Sequence, residues 1–311
     1  MMRADAQKGE QKRLEQTNRY YKSPADALYM ALVYLVAGFS LLSVLVPIVY
    51  VLAASFSTPE AIMAGKVRFW PVDFTLAGYR AVFTHPMLMA GFRNSLLYTA
   101  VGTTLNVFMT VVAAYPLSRS DLKIRGGVMF LFSFTMLFGG GMIPNYLLVR
   151  NLGLIDSIGA LILPGAMSVW NVIIMRTYFQ TNLPQEMLES ASIDGCDDFR
   201  FLLRIALPLS VPILAVQVLL YAVGHWNAFF NAMLYINTPD KYPLQLVLRD
   251  VLVQNNAAAM TADIIRQMER EQMRYLLQYA TIVVACIPVM ILYPFIQRYF
   301  TRGIMVGAIK G

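Results

Sequence analysis

Five carboxylates, Glu186, Glu189, Asp194, Asp197 and Asp198, fall between Gln185 and Phe199 with no basic residue among them. Carboxylates can serve as acid–base pairs or metal ligands, yet Asp197 and Asp198 are adjacent and point to different helix faces rather than to one centre. No His-Glu-x-x-His is present, His85 and His225 stand alone, and neither Cys196 nor Cys286 has metal-ligand spacing. The chemistry left for the segment is recognition. A short acidic helix with a small-residue face, Ser190 and Ala191, can fit a groove on another protein. A connector lying on lipid would instead carry Lys or Arg on its polar face.

The elements that must position this face are short. Pro184 suits the first turn of a helix, with Thr181 or Asn182 available as caps. Glu186 and Glu189 come early enough to complement the helix dipole. Gly195 is the residue type that closes a helix in the left-handed conformation. A second helix restarts at Asp197-Asp198, with Phe199, Leu202, Leu203 and Ala206 spaced for one apolar face, and Pro208 is expected to stop it. Pro208 and Pro212 mark the approach to the next hydrophobic run.

Those runs decide the class of protein. The chain is 58% hydrophobic and 14% charged over 311 residues. Uncharged stretches cover 27–59, 94–118, 126–149, 157–175, 205–239 and 275–297, and about 20 apolar residues cross a bilayer once. The expectation is an all-α integral membrane protein with six transmembrane helices near 28–54, 93–117, 127–148, 158–178, 209–233 and 275–298. The first run is about twice the length of a signal-peptide core and follows a long polar stretch, so it reads as a retained anchor. Gly139-Gly140-Gly141 allows either close helix packing or a bend.

Basic residues orient the spans. The tail before the first span (Arg3, Lys8, Lys12, Arg13, Arg19, Lys22), the segments holding Arg119, Lys123, Arg125, Arg176, Arg200 and Arg204, and the end with Arg298, Arg302 and Lys310 carry 15 of the 25 Lys and Arg. These lie on one side of a six-span topology, the cytosol, so both termini and the acidic segment are cytosolic. The expected organisation is a cytosolic tail over 1–27, an anchor over 28–54, and an external segment over 55–92 that folds over the membrane surface. A five-helix core over 93–298, with its cytosolic loop at 179–208, and a cytosolic tail over 299–311 complete it. The net charge of +7 mostly expresses this asymmetry, which argues against nucleic acid as a partner.

Glu189-Ser190-Ala191, three residues, Gly195, nine residues, Ile205, one residue, Leu207-Pro208 resembles the EAA loop of binding-protein-dependent ABC importer permeases. Ser190 stands where that family usually has Ala; both are small. Asp194 before Gly195 fits its usual Asp-Gly pair. Asn94-Ser95, Ala114-Tyr115-Pro116-Leu117-Ser118-Arg119, Met175-Arg176 and Trp226-Asn227 resemble the carbohydrate-uptake branch with the maltose-type permeases. Gly140-Gly141-Met142-Ile143-Pro144 and the ending Gly303-Ile304-Met305-Val306-Gly307-Ala308-Ile309-Lys310-Gly311 are similar to a subgroup that takes up oligo- or polysaccharides.

The resemblance implies a type I importer permease of the MetI-like fold, with no cofactor of its own. Its implied partners are a second, non-identical permease, an ABC ATPase dimer, an extracytoplasmic solute-binding protein and a carbohydrate, by the narrower placement an oligosaccharide; the sequence itself does not show whether the two permeases differ. Glu189, Ser190, Ala191, Asp194, Gly195, Ile205, Leu207 and Pro208 would form the coupling loop held by the ATPase. The tail beyond Arg302 either reaches the same interface or ends free. No P-loop is present, since Gly65-Lys66 lacks its upstream glycine and following hydroxyl, so the ATPase must be a separate chain. Ionisable groups within the spans are almost wanting, which disfavours a proton-coupled carrier. A membrane receptor without transport stays open, because a docking helix needs no pore. Tyr221, Trp226, Asn227 and Asn231, on the outer half of the fifth span, are the candidates for a sugar path; Tyr221 and Trp226 equally suit the core or an interfacial belt.

Overall fold

The computed structural model describes residues 24–253 and 264–308; most of the N-terminal tail, Asp263 and the last three residues, Lys310 among them, lie outside the described residues. The chain forms two compact units, up to Thr75 and from Leu76 onward. In the first, α1 (Pro24–Ser55) runs through Pro47 with its large apolar side chains exposed. The chain then folds back on the helix end. Ser57 Oγ donates to Ala53 O at 2.7 Å and accepts from the Val72 N–H at 3.0 Å. The Thr75 N–H reaches Phe56 O at 2.9 Å, and Phe56 stacks on Phe74 with centroids 5.6 Å apart. The short α2 (Pro59–Met63) sits inside this return.

In the second unit α3 (Ala77–Thr84) leads into α4 (Pro86–Ser118), which starts at a proline preset for the first helical position, well before the expected 93. Next come α5 (Arg125–Leu137), α6 (Met142–Asn151), α7 (Ile158–Ile162) and α8 (Val169–Asn182). The acidic segment forms α9 (Gln185–Ile193), α10 (Asp198–Phe201), a π-helical turn (Leu202–Ala206) and α11 (Leu207–Leu209). Then α12 (Val211–Trp226), α13 (Phe230–Tyr235), α14 (Leu244–Val253) and α15 (Ile264–Ala308) complete the unit.

The expected spans are more broken than the hydrophobic runs suggest. Among the described residues, Ala25–Ser55, Pro86–Ser118 and Gln272–Phe295 are each long and apolar enough to cross a membrane. Two bent pairs qualify when each is taken as one span: Arg125–Leu137 with Met142–Asn151, bent by 111°, and Asp198–Leu209 with Val211–Trp226, bent by 81°. The first bend is the work of the triple glycine, with Gly141 at φ 84°. The expected fourth span splits into α7 and α8 at Pro164-Gly165, where proline offers no N–H to continue a helix. The expected fifth span ends early, at Trp226.

Helix α4 is the centre of the unit, packing chiefly on α12 and α8. Apolar cores lie towards its two ends. One gathers Leu88, Trp226, Leu244, Leu277 and Ala280; the other gathers Ala114, Tyr115, Val172, Met175, Phe179 and Phe201. Between them runs a belt of buried polar groups. Asn106 Nδ2 donates to Gly165 O, and Asn106 Oδ1 meets His225 Nε2 at 2.7 Å. The Tyr221 hydroxyl pairs with Thr110 at 2.7 Å and accepts the Ser168 N–H at 3.2 Å, while Gln217 Nε2 donates to Asn171 O at 3.1 Å. Backbone released by the break after α7 is thus satisfied by side chains of α4 and α12, as a polar backbone within hydrocarbon requires.

At the end of α4 where Asn94 lies, two loops are buckled together. Asp156, in the left-handed region at φ 60°, accepts Lys241 Nζ at 2.6 Å, the Thr238 hydroxyl at 2.7 Å, and the Thr238 and Asn237 N–H groups at 2.9 and 3.0 Å. Asn94 Nδ2 donates to Asp240 O at 2.7 Å, and Tyr98 donates to Lys241 O at 2.9 Å. The Lys241 ammonium, then the Thr238 donors, hold the Asp156 carboxyl well below the usual carboxylate range. A depressed pKa stabilises the fold above the unfolded value of about 3.9 and loses that effect as pH falls through the folded value. Asp156→Asn is expected to lower the melting temperature at pH 7 in detergent. Below about pH 4 the wild type should fall towards the variant; parallel curves from pH 7 to 3 would refute this.

Candidate functional site on the acidic loop

Helix α9 starts at Gln185 with Pro184 in the capping position and no side-chain cap. Thr181 and Asn182, the expected caps, bond back into α8 instead: Thr181 Oγ1 to Thr177 O at 3.1 Å and Asn182 Nδ2 to Tyr178 O at 3.0 Å. Their side chains find carbonyls one turn behind them before α9 begins. Along α9, Gln185 Nε2 donates to Glu189 Oε1 at 3.0 Å, and Ser190 Oγ to Glu186 O at 2.7 Å. The far end is a Schellman turn. The Gly195 N–H reaches Ser192 O at 3.0 Å, the Cys196 N–H reaches Ala191 O at 2.9 Å, and Gly195 sits at φ 77°. Cys196 tucks its side chain against the core beside Ala191.

The chain restarts with Asp197 as a true N-cap, its carboxylate accepting the Arg200 N–H at 2.7 Å, an interaction worth about 1 kcal/mol. The expected apolar face is corrected here. Phe199 is 71% exposed and Leu203 48%, whereas Phe201 and Ala206 are buried. The π-helical turn at Leu202–Ala206 carries one residue more per turn, so positions five apart share the inward face. Nor does Pro208 end the helix: it lies in the first turn of α11, and the bend falls at Ser210, just ahead of Pro212. Ile205 and Leu207 pack on the core, while Pro208 is exposed.

Glu189, Ser190, Asp194 and Gly195 are exposed on the outside of this unit, and Ala191 is half-buried on its inner side. Ile193 stands among them 87% exposed. Sequence reasoning passed over Ile193 and Phe199 as surface residues; the available signal was an apolar side chain inside an otherwise acidic run. Glu189 and Ile193 also line an open groove of about 590 Å³ between α9 and the end of α4, with Tyr115, Arg119, Gln185 and Phe201 on its other walls.

A second set of residues ties the loop to the end of α4. The last carbonyls of that helix are taken by side chains: Leu117 O by Arg176 Nε at 2.8 Å, Ser118 O by Gln180 Nε2 at 3.4 Å, and Arg119 O by Arg125 at 3.0 Å. Two of these donors are cations at the negative end of the helix dipole. Arg119 grips Asp121 through Nε at 2.9 Å and Nη2 at 2.7 Å, and gives Nη1 to Asp198 across to α10. Its hydrogen bond is the main cause holding the Asp121 carboxyl below the usual range. Ser120 donates to Gln185 of α9. Sequence reasoning used Arg119 only for orientation and resemblance; its partner lies 79 residues away.

The four path candidates divide. Tyr221 is buried in the polar belt, and Trp226 is buried with Nε1 donating to Ala285 O at 2.9 Å. Asn227 and Asn231 are exposed, although Asn227 Nδ2 turns back to Val223 O at 2.9 Å. Phe229 and Phe230 are exposed beside them.

Known proteins share this architecture. Residues 16–306 match the family "Binding-protein-dependent transport system inner membrane component". Protein LplC of Bacillus subtilis (strain 168) is 42% identical over 267 residues, covering 86% of this chain and 90% of LplC. The polygalacturonan/rhamnogalacturonan transport system permease protein YtcP of the same organism is 41% identical over 281 residues, covering 89% of this chain and 97% of YtcP. In the crystal structure of a bacterial ABC transporter involved in the import of the acidic polysaccharide alginate, one chain matches with a TM-score of 0.81 at 31% identity. That match covers 89% of this chain and 98% of the other. The chain therefore belongs to the family of inner membrane components of binding-protein-dependent transport systems.

Proposed function

We propose that this chain is one of two permease subunits that together form the path for a carbohydrate, an oligosaccharide or polysaccharide fragment, moving into the cell. The observation that carries the reading is α9 with its Schellman turn at Gly195, a rigid acidic element offered outward from a chain of the transport family. A separate ATPase dimer grips Glu189, Ser190, Ala191, Asp194 and Gly195, with Ile193 as the apolar anchor. Ile205, Leu207 and Pro208 join that surface to the membrane helices, and an extracytoplasmic binding protein delivers the solute. Carbohydrate is supported by the names carried by similar proteins, polygalacturonan and rhamnogalacturonan for YtcP and alginate for the solved transporter.

Both termini and loop 179–208 are assigned to the cytosol on the basic residues; three helices and two bent pairs account for five crossings, and the broken α7–α8 segment is assigned as the sixth. Asn227 and Asn231, with Phe229 and Phe230, offer the exposed amides and aromatic faces that sugars bind; Tyr221 and Trp226 act from behind, holding the wall.

Three outcomes test this reading. The complex should copurify with an ATPase whose turnover rises with a binding protein loaded from a panel of polygalacturonan, rhamnogalacturonan and alginate oligosaccharides. Stimulation by amino acids and by no sugar would overturn the substrate class. Gly195→Val forces a branched residue into the left-handed region at a cost of about 1–2 kcal/mol, or roughly tenfold in the population of the correct turn. The variant should insert normally and lose about tenfold in uptake, and uptake at the wild-type rate would count against a rigid docking element. With Cys196 and Cys286 replaced, cysteines at Ser120 and Ile193 should react with an impermeant maleimide only from the cytosolic side, and one at Asn237 only from outside. The opposite pattern would invert the topology.

A further inference from the structure

The acidic loop reaches the end of α4 from both of its helices. Helix α9 makes a hydrogen bond, Ser120 to Gln185, between exposed side chains, and sets Met187, Leu188 and Ala191 against the core that holds Tyr115. Helix α10 makes a composite contact. The Arg119 guanidinium, its side chain 18% exposed, holds Asp198, whose side chain is 69% exposed, and Tyr115 beside it stacks on Phe201 with ring centroids 6.5 Å apart. Tyr115 also meets Phe179 of α8 edge-on at 6.0 Å. Arg119 is itself fixed before it reaches Asp198, since Asp121 takes two of its donors and Arg125 takes its carbonyl. A guanidinium held on one side by a fork and extended on the other is a stiff strut, because its five donors lie in one plane.

From this geometry we infer that α10 is a route by which displacement of the docking loop passes into the membrane. The route runs through the Arg119–Asp198 ion pair backed by the Tyr115–Phe201 contact, and Arg119 is a positioning residue for transport. The inference rests on the proposed docking of an ATPase at α9 and adds the route beyond it. The displaced helix, α4, carries Asn106 and Thr110, the side chains at the break between α7 and α8. Motion of its inner end therefore bears on the one stretch of the described fourth span that has no helical backbone to resist it. Asp121 touches the same guanidinium from within the same loop, so it stiffens the strut without bridging to the moving part.

The test is hydrogen–deuterium exchange on the full complex with its ATPase, compared between the nucleotide-free state and the state trapped with ATP and vanadate. In the wild type, peptides over 185–198 should be protected by the ATPase, and exchange over 110–118 should change about threefold on trapping. Asp198→Ala should keep the protection over 185–198 and abolish the change over 110–118; Arg119→Gln should do the same. Gln185→Ala should retain the change, and Asp121→Asn, which loses one arm of the fork, should reduce it without abolishing it. The inference is overturned if Asp198→Ala responds like the wild type over 110–118, or if Gln185→Ala loses the response as fully as Asp198→Ala does. If 185–198 is not protected in the wild type, the docking reading itself fails and takes the inference with it. Should Asp198→Ala prove unstable, the charge exchange Arg119→Asp with Asp198→Arg, made in an Asp121→Asn background, must restore part of the response lost in Arg119→Asp in the same background; failure to restore any also overturns the inference.

Discussion

A polar backbone inside hydrocarbon has to find its hydrogen bonds within the protein, and the break at Pro164-Gly165 makes that constraint acute. The carbonyl of Gly165 and the N–H of Ser168 are met by Asn106 and Tyr221, and those two side chains are in turn held by His225 and Thr110. Each group has a second partner: Thr110 fixes the Tyr221 hydroxyl, and His225 meets the Asn106 amide oxygen. The polar belt therefore determines how α4, α8 and α12 sit together, and the two apolar cores close around it.

Helix α4 serves the loops joined at Asp156 and Lys241, the broken span and the acidic loop at once. Near its start Asn94, Ser95 and Tyr98 hold the chain around Asp240 to Leu244. At its centre Asn106 and Thr110 serve the break. At its end, carbonyls capped by Arg176, Gln180 and Arg125 bring Arg119 to Asp198. A displacement at one level is felt at the others because cores packed to crystal-like density transmit strain rather than absorb it. On the function proposed, this is how a hydrolysis event outside the membrane reaches a path within it.

Much of this was readable from residues alone where the chemistry is local. The left-handed closure at Gly195, the Asp197 restart and the apolar runs depend on neighbours a few positions away, and the helix end at Gly195 and the acidic exposed face are found as expected. What escaped depends on distance along the chain or on a small change of pitch. Nothing near Asn106 announces that it will cap a carbonyl 59 residues on. The π-helical turn brings Phe201 and Ala206 onto one face, which a period of 3.6 does not anticipate. Thr181 and Asn182 satisfied the compositional rule for caps and still turned back to the preceding helix. The six uncharged runs located the apolar segments, but their breaks at Gly141, Pro164 and Ser210 emerged only with the backbone.

On the function proposed, a nucleotide-hydrolysing partner holds the outward face of α9. A photoreactive amino acid at Ile193, the most exposed apolar side chain of that face, reports on it directly in the assembled complex within a lipid bilayer. The expected result is a single predominant crosslink to the ATPase subunit that strengthens or weakens with the nucleotide state. Crosslinks to phospholipid alone, unchanged by nucleotide, would contradict it.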